Sequence, residues 1–203
     1  MPRPIKLYGG KLSGHSHRVE LLLGLLSRPY ELILTPPADR RTSTFLAMNP
    51  FGQIPVIDDD GVIVADSNAI LVYLAKRYDE GKTWLPEDPV GAAAVQRWLS
   101  VAAGQLAYGP ATARLGAVFK LPVDHSQAAE IASRLFGVMD SYLAEHSFLA
   151  AGHPTLADLA CYSYTRAAPD GGIALSPYTK IVAWLEKMES LPQFQRMPNP
   201  PAG

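Results

Sequence analysis

The segment from Asn49 to Gly61, with the sequence NPFGQIPVIDDDG, restricts the fold more than any other part of the chain. Pro55 stands directly before an apolar, β-branched run, and proline belongs at the first residue of a strand or at a sheet edge because it has no N–H to donate to a ladder. Asp60-Gly61, flanked by Val56-Ile57 and Val62-Ile63-Val64, is a strong turn signal. The segment therefore predicts an antiparallel hairpin that Pro55 introduces.

A cis peptide bond is predicted between Ile54 and Pro55, since X–Pro bonds are the ones that adopt this form. In that geometry the N–H and C=O of Ile54 face outward, where they can pair with a passing peptide as an added strand does. After the hairpin, Ser67 is predicted to cap a helix over Ala69–Tyr78. The buried face of this helix is expected to carry Ile70, Leu71 and Leu74.

The residues before the hairpin predict a strand, a helix and a second strand over Ile5–Tyr8, Arg18–Ser27 and Tyr30–Leu34. A unit of this size favours a parallel strand pair with a right-handed crossover. A short helix over Thr42–Met48 then leads into the hairpin. The order βαβ-α-ββ-α predicts a thioredoxin-like α/β domain with a four-stranded mixed sheet over residues 1–80.

The second half of the chain carries no strand pattern, and it is predicted to form an all-helical domain over residues 90–203. Residues 81–89 are polar with two prolines and are predicted to be the linker. Thr155 and Asp158 are spaced as a near-capping box at the start of one helix. The other helices are expected over Val90–Ala107, continuing with a bend at Pro110 to about Phe119, over His125–Glu145 and over Pro177–Leu191.

Composition excludes several functional classes. The net charge is −1 and no basic stripe is visible, which argues against nucleic acid as a partner. The one cysteine, Cys161, rules out an internal disulfide framework and a CxxC motif, and it is expected in the core. His15 and His17 are too close in sequence to share a helix face, and no other cluster has ligand spacing, so no metal is predicted. The sequence has neither an apolar run long enough to span a membrane nor a signal region. We therefore expect cytoplasmic residence and no membrane partner.

The run Asn49–Gly61 followed by Ala65–Tyr78 resembles the N-terminal domain of the cytosolic glutathione transferases. The resemblance is specific over about residues 5–80 and diffuse over the rest. It implies that glutathione binds as a co-substrate, with its cysteinyl backbone on Ile54 before the cis Pro55. It further implies that the acidic–serine pair at the start of the third helix, Asp66 and Ser67, holds the γ-glutamyl group.

Ser13 is the predicted catalytic residue. It lies in a loop before a helix whose N-terminus carries unpaired N–H groups and a positive dipole end. The residues alone leave two interpretations open: a plain helix cap, or a hydroxyl that donates to a bound thiolate and lowers its pKa. The resemblance favours the second, because the phi and zeta classes carry their catalytic serine five residues before an arginine, as Ser13 stands to Arg18. Ser16 is the alternative donor, and Tyr8 is disfavoured because it lies in the strand.

The remaining predicted contacts follow from the resemblance. Gln53 is expected at the glutathione backbone, the alternative being a solvated loop amide. Arg40 and Arg41 are candidates for the glycyl carboxylate, the alternative again being solvated side chains. The electrophile pocket is expected to include Leu12, Tyr108 and Arg114.

The resemblance implies an enzyme that conjugates the glutathione thiolate to small hydrophobic electrophiles, as in detoxification, and that forms a homodimer. No cysteine occupies the Ser13 loop, which argues against the omega-type chemistry of mixed disulfides. Two alternatives stay open. One is a glutathione-dependent disulfide reductase or peroxidase on the same scaffold, and the other is a glutathione-binding or scaffold protein without turnover.

Overall fold

The structure is a computed structural model that describes residues 3–201 of the 203-residue chain. Its internal contacts separate two compact units. One extends to Lys82 and includes Pro192–Asn199, and the other spans Thr83–Leu191. The ranges 1–80 and 90–203 stay proposals for the two domains, but the segment Pro192–Asn199, expected in the second domain, belongs to the first unit.

The first unit contains a four-stranded mixed sheet in the order β2-β1-β3-β4. The strands are β1 (Ile5–Gly9), β2 (Tyr30–Leu34), β3 (Val56–Asp59) and β4 (Val62–Ala65). β1 and β2 run parallel, whereas β3 pairs antiparallel with both β1 and β4. The predicted thioredoxin-like sheet is confirmed.

The turn of the hairpin follows from its two residues. Asp60 has φ 51° and Gly61 has φ 93°, which are the left-handed values that a two-residue type I′ connection requires. The carboxylate of Asp58 accepts the N–H of Gly61 at 2.8 Å and closes the turn. The Ile54–Pro55 peptide bond is cis, as predicted.

The helices of the first unit are α1 (Gly14–Leu25), α2 (Ser43–Met48) and α3 (Ser67–Tyr78). α1 begins before the predicted Arg18, because its first turn buries polar residues that an apolar pattern does not reveal. α1 and α3 pack against each other. The core of the unit includes the fully buried side chains of Leu7, Leu22, Ile57 and Leu71.

The prediction that Ser67 caps a helix starting at Ala69 is wrong, because the cap lies one residue earlier and the helix starts two residues earlier, at Ser67. Asp66 is the cap, and its Oδ1 accepts the N–H groups of Asn68 and Ala69 at 2.9 and 3.0 Å. Aspartate and serine are both strong N-caps, so the sequence did not distinguish the two registers.

The regular secondary structure of the second unit, residues 83–191, is helical, and its helices are joined by irregular segments. Its helices are α4 (Pro89–Ala103), α5 (Thr112–Phe119), α6 (His125–Leu143), α7 (Leu156–Arg166) and α8 (Thr179–Glu189). A π-helical turn over Ala107–Ala111 contains Pro110 and stands where the predicted long helix was expected to bend. The predicted all-helical class of this half is confirmed.

The start of α7 is built around the buried carboxylate of Asp158. Thr155 and Asp158 form the predicted capping box. The same carboxylate accepts the N–H of Leu149 at 2.9 Å and the indole Nε1–H of Trp184 at 3.0 Å. Burial raises the pKa of Asp158, while these hydrogen bonds oppose the rise. Within residues 3–201, no helix is long and apolar enough to cross a membrane.

Candidate functional site

Ser13 is the N-cap of α1. Its Oγ accepts the N–H of Ser16 at 3.3 Å, with Ser13 in an extended conformation at φ −87° and ψ 114°. A hydroxyl has one hydrogen and two lone pairs, and this cap uses only a lone pair. Among the described residues the hydroxyl hydrogen of Ser13 donates to no acceptor. The two interpretations of Ser13, as cap and as thiolate donor, are therefore compatible in one side chain.

Ser16 has a different environment from Ser13. Its side chain is fully buried, and its Oγ accepts the N–H of Gly10 at 3.1 Å. A Cβ added at Gly9 would lie 2.7 Å from the Ser16 Oγ, so the backbone passes directly over this hydroxyl. Ser16 thus fixes the loop that carries Ser13, while Ser13 itself is partly exposed.

The loop before β3 is held by Asn49, a residue whose role the sequence did not reveal. Its buried side chain donates from Nδ2 to the C=O of Gln53 at 2.8 Å and accepts the N–H of Phe51 at Oδ1, at 3.1 Å. This pattern of an Asn side chain bonding to the backbone just ahead of it is a frequent way to fix a turn. The loop leaves Gln53 exposed and Ile54 half-buried, directly before the buried Pro55.

Arg40 and Arg41 lie in a single 3-10 turn, Asp39–Arg41. Arg40 is half-buried and donates from Nε to the C=O of Thr35 at 2.8 Å. Arg41 is exposed. Arg40 is therefore the more fixed of the two guanidinium groups, and Arg41 the more accessible.

The start of α3 presents one charge to solvent. Asp66 is exposed and has φ 75°. Its Oδ1 serves the two capped amides, and its Oδ2 has no hydrogen-bond partner among the described residues. Ser67, the first residue of the helix, is only 4% exposed.

A polar cluster of the buried Arg18 and Ser67 with the half-buried His15 and Asn68 connects the N-terminal ends of α1 and α3. The fully buried Arg18 donates from Nη1 to Asn68 Oδ1 at 3.0 Å and to Ser67 Oγ at 3.4 Å. The Nδ1 of His15 lies 3.3 Å from the same Ser67 Oγ. Burial, and secondarily the charge of Arg18, lower the pKa of His15 to about 3, so its imidazole is neutral. Sequence reasoning missed this cluster because it considered the histidines only as metal ligands.

His17 forms a second contact that the sequence did not reveal. Its buried ring places Nε2 at 2.8 Å from the C=O of Gln195, in the segment that joins the first unit from the end of the chain. Burial lowers the pKa of His17 to about 4; the hydrogen bond to Gln195 opposes this shift, and the charge of Arg18 adds to it.

The predicted pocket residues have unlike environments. Leu12 is half-buried in the loop before Ser13. Tyr108 is 67% exposed on the π-helical turn. Arg114 is only 2% exposed and donates from Nε to Asp170 at 2.9 Å. This buried ion pair gives Arg114 a structural contact within the second unit.

The first unit by itself brings together the predicted anchors for an amino-acid zwitterion. An exposed carboxylate at Asp66 suits an ammonium group. The adjacent N-terminus of α3, with the buried guanidinium of Arg18 behind Ser67, suits a carboxylate. Cys161 is fully buried, as predicted. Within residues 3–201, no group of three or more His, Cys, Asp or Glu side chains is arranged to hold a metal ion.

Nearly the whole chain is similar to known glutathione S-transferases. The family models for the N-terminal and C-terminal domains of glutathione S-transferase match residues 7–82 and 120–192. Glutathione S-transferase 3 of Zea mays is 33% identical, and the match covers 98% of each chain. Glutathione S-transferase GstB of Escherichia coli is 28% identical over 95% of this chain and 97% of its own. A solved glutathione S-transferase structure from Pseudomonas fluorescens has a TM-score of 0.89 at 32% identity, and covers 97% of this chain and 100% of that one.

Proposed function

The chain belongs to the glutathione S-transferase family, a family of glutathione transferases, and from this premise we propose that it joins the glutathione thiolate to a small hydrophobic electrophile. Ser13 is proposed as the residue that stabilises the thiolate. The observation that carries the proposal is the position of Ser13 at the N-terminus of α1. Its side chain is partly exposed, and its hydroxyl hydrogen donates to no acceptor among the described residues. We propose that this chemistry needs no metal.

The γ-glutamyl end of glutathione is proposed to bind at the start of α3. Its ammonium group would meet Oδ2 of Asp66, since Oδ1 already serves the helix cap. Its carboxylate would accept the N–H of Ser67, which precedes the two amides that Asp66 caps, and would meet the Ser67 hydroxyl. The buried charge of Arg18 lies within hydrogen-bond distance of that hydroxyl and favours an anion there.

The rest of the peptide is proposed to extend along the loop before β3. The N–H and C=O of Ile54 would pair with the cysteinyl backbone as an edge strand does, with Pro55 holding the loop and Gln53 beside it. The glycyl carboxylate would meet the exposed Arg41 or the Nη groups of Arg40, whose Nε is already used.

The proposed chemistry needs a thiolate at neutral pH. A free thiol has a pKa of about 8.5, so most of it is protonated. A hydrogen bond from Ser13 to the sulfur, together with the positive end of α1, favours the charged form and lowers that pKa. The thiolate sulfur then forms a bond to the electrophilic carbon, and the leaving group departs with its electron pair. Ser13 donates a hydrogen bond in this step and is not itself the nucleophile.

Leu12, half-buried in the loop before Ser13, is proposed to contact the electrophile. Tyr108 belongs to the second unit, where it is exposed on a π-helical turn, and such turns are frequent at functional sites. We further propose a cytoplasmic homodimer without nucleic-acid or membrane partners. The family resemblance supports the dimer.

A three-substrate assay tests the proposed function. The protein is given glutathione with a model aryl halide, with a hydroperoxide, or with a small disulfide. We expect thioether formation from the aryl halide, with most of that activity lost in Ser13→Ala and most retained in Ser13→Thr, which keeps the hydroxyl. Activity on the hydroperoxide or disulfide alone would favour the peroxidase or reductase alternative. Glutathione binding without turnover on any substrate would favour the scaffold alternative.

A further inference from the structure

We propose that His15 is a positioning residue for the γ-glutamyl carboxylate, and that carboxylate binding selects the imidazole tautomer whose hydrogen is on Nδ1. The proposal rests on the proposed function, because it requires glutathione at the start of α3. It assigns a role to a side chain in the first turn of α1 that touches the ligand only through Ser67.

The geometry places His15 behind the hydroxyl that would meet the ligand. Its Nδ1 lies 3.3 Å from Ser67 Oγ, and Arg18 Nη1 lies 3.4 Å from the same oxygen. Ser67 is 4% exposed, so little of its side chain remains for solvent. The direction of the Ser67 hydroxyl hydrogen is therefore set by these two neighbours and by any bound ligand.

The hydrogen-bonding capacity of Ser67 decides between the two tautomers. A hydroxyl has one hydrogen and two lone pairs, and a guanidinium can only donate, so Arg18 occupies one lone pair. If Nδ1 of His15 carries no hydrogen, the Ser67 hydroxyl donates to it and turns a lone pair toward the ligand, where it would repel a carboxylate. If Nδ1 carries the hydrogen, His15 occupies the second lone pair and the Ser67 hydrogen is directed to the carboxylate.

A neutral His15 can change between these roles without a net gain of charge. Burial and Arg18 lower the pKa of His15 to about 3, so near neutral pH the ring holds one hydrogen that either nitrogen can carry. A permanently positive side chain at this position would be repelled by the buried guanidinium of Arg18. A neutral imidazole avoids this repulsion and can carry its hydrogen on a different nitrogen when the carboxylate binds.

Two substitutions distinguish positioning from simple packing. His15→Ala removes the donor to Ser67, and His15→Asn replaces it with a side-chain amide that can donate from nearly the same position as Nδ1. We expect His15→Ala to raise the Kd for glutathione about tenfold and His15→Asn to restore most of the affinity. The pKa of the bound glutathione thiol should stay unchanged in both, because the thiol meets Ser13.

The direct test is the tautomer itself. In protein labelled with ¹⁵N-histidine, long-range ¹⁵N–¹H spectra report which ring nitrogen carries the hydrogen, and the spectrum of His15→Asn identifies the His15 signals among the five histidines. We expect a protonated Nδ1 in the complex with glutathione. An unprotonated Nδ1 in that complex would overturn the proposal, as would an unchanged Kd in folded His15→Ala. Failure of the wild-type protein to bind glutathione would overturn the proposed function and this inference together, whereas binding with an unprotonated Nδ1 overturns only the inference.

Discussion

Two kinds of helix start occur in this chain, and they use the same polar residue types to different ends. At α7 in the second unit, both carboxylate oxygens of the buried Asp158 are saturated by the capping box, by Leu149 and by Trp184. At α1 and α3 in the first unit, Ser13 and Asp66 also cap, but each is accessible to solvent and keeps hydrogen-bonding capacity that no described residue uses. A saturated cap stabilises the fold, whereas a cap with unused capacity can hold a ligand as well.

Asp158→Ala should produce the largest loss of stability. It removes the capping box and leaves the N–H of Leu149 and the indole of Trp184 without their acceptor in a buried site. Each unsatisfied buried donor costs about 1–3 kcal/mol, so the free energy of unfolding should fall by about 3 kcal/mol or more. Urea denaturation measures this change. If the loss of stability were no larger than that for an exposed cap, the proposed structural role of the fully hydrogen-bonded Asp158 would be contradicted.

Asp66→Asn and Asp66→Ala separate capping from ligand binding at α3. The asparagine keeps an oxygen for the amides of Asn68 and Ala69 but loses the charge, so the fold should keep its stability. Alanine should also lose about 1 kcal/mol of stability with the cap. Both variants should weaken glutathione binding roughly tenfold to a hundredfold, because each removes a charge-assisted contact to the ammonium group.

Calorimetry and urea denaturation of the same two variants check this prediction. Full affinity in Asp66→Asn would show that the carboxylate serves only the helix. Equal stability in the two variants would show instead that Oδ1 contributes nothing measurable as a cap.

The sequence predicted those parts of the fold that depend on chain geometry. Pro55, with its missing N–H, and the Asp60-Gly61 turn determine the hairpin and its place in the sheet. The start of α1 was not predicted, because the residues from His15 to Arg18 are polar and apolar spacing does not mark them. Burial of such residues depends on partners brought from elsewhere in the chain, such as Ser67 and Gln195.

The residues of the candidate site stay a prediction, and the sequence alone suggested them. The position of Ser13 before Arg18 and the pairing of Pro55 with Asp66-Ser67 selected the site residues through the family resemblance. The separate roles of Asp66 and Ser67 were not predictable. The two residues are adjacent in the sequence, and only the structure shows that Asp66 caps the helix whereas Ser67 is buried. The burial of Arg114 was missed for the same reason as that of Arg18, since its partner Asp170 is distant in sequence.

The first unit also contains a buried polar contact with a structural role, between His17 and the C=O of Gln195. The pKa of His17, about 4 in the folded protein, lies below the 6.5 of a free imidazole, so the unfolded chain binds more protons between these two values. Stability should therefore fall as the pH drops through this window. His17→Gln, whose amide can still donate to Gln195, should reduce the slope of unfolding free energy against pH by about 1.4 kcal/mol per pH unit. Urea denaturation at several pH values between 6 and 4 measures the slope, and an unchanged slope would contradict a neutral, buried His17.

The central claim is that Ser13 both caps α1 and stabilises the glutathione thiolate, and titration of the thiolate absorbance of bound glutathione tests it most directly. Ser13→Ala should raise the pKa of the bound thiol by about one unit, equivalent to about 1.4 kcal/mol, while glutathione stays bound through its other anchors. Ser13→Thr should keep the wild-type value, and Ser16→Ala should change it much less than Ser13→Ala does. A bound-thiol pKa that moves in Ser16→Ala and not in Ser13→Ala would transfer the role to Ser16, and a pKa that moves in neither would reduce Ser13 to a helix cap.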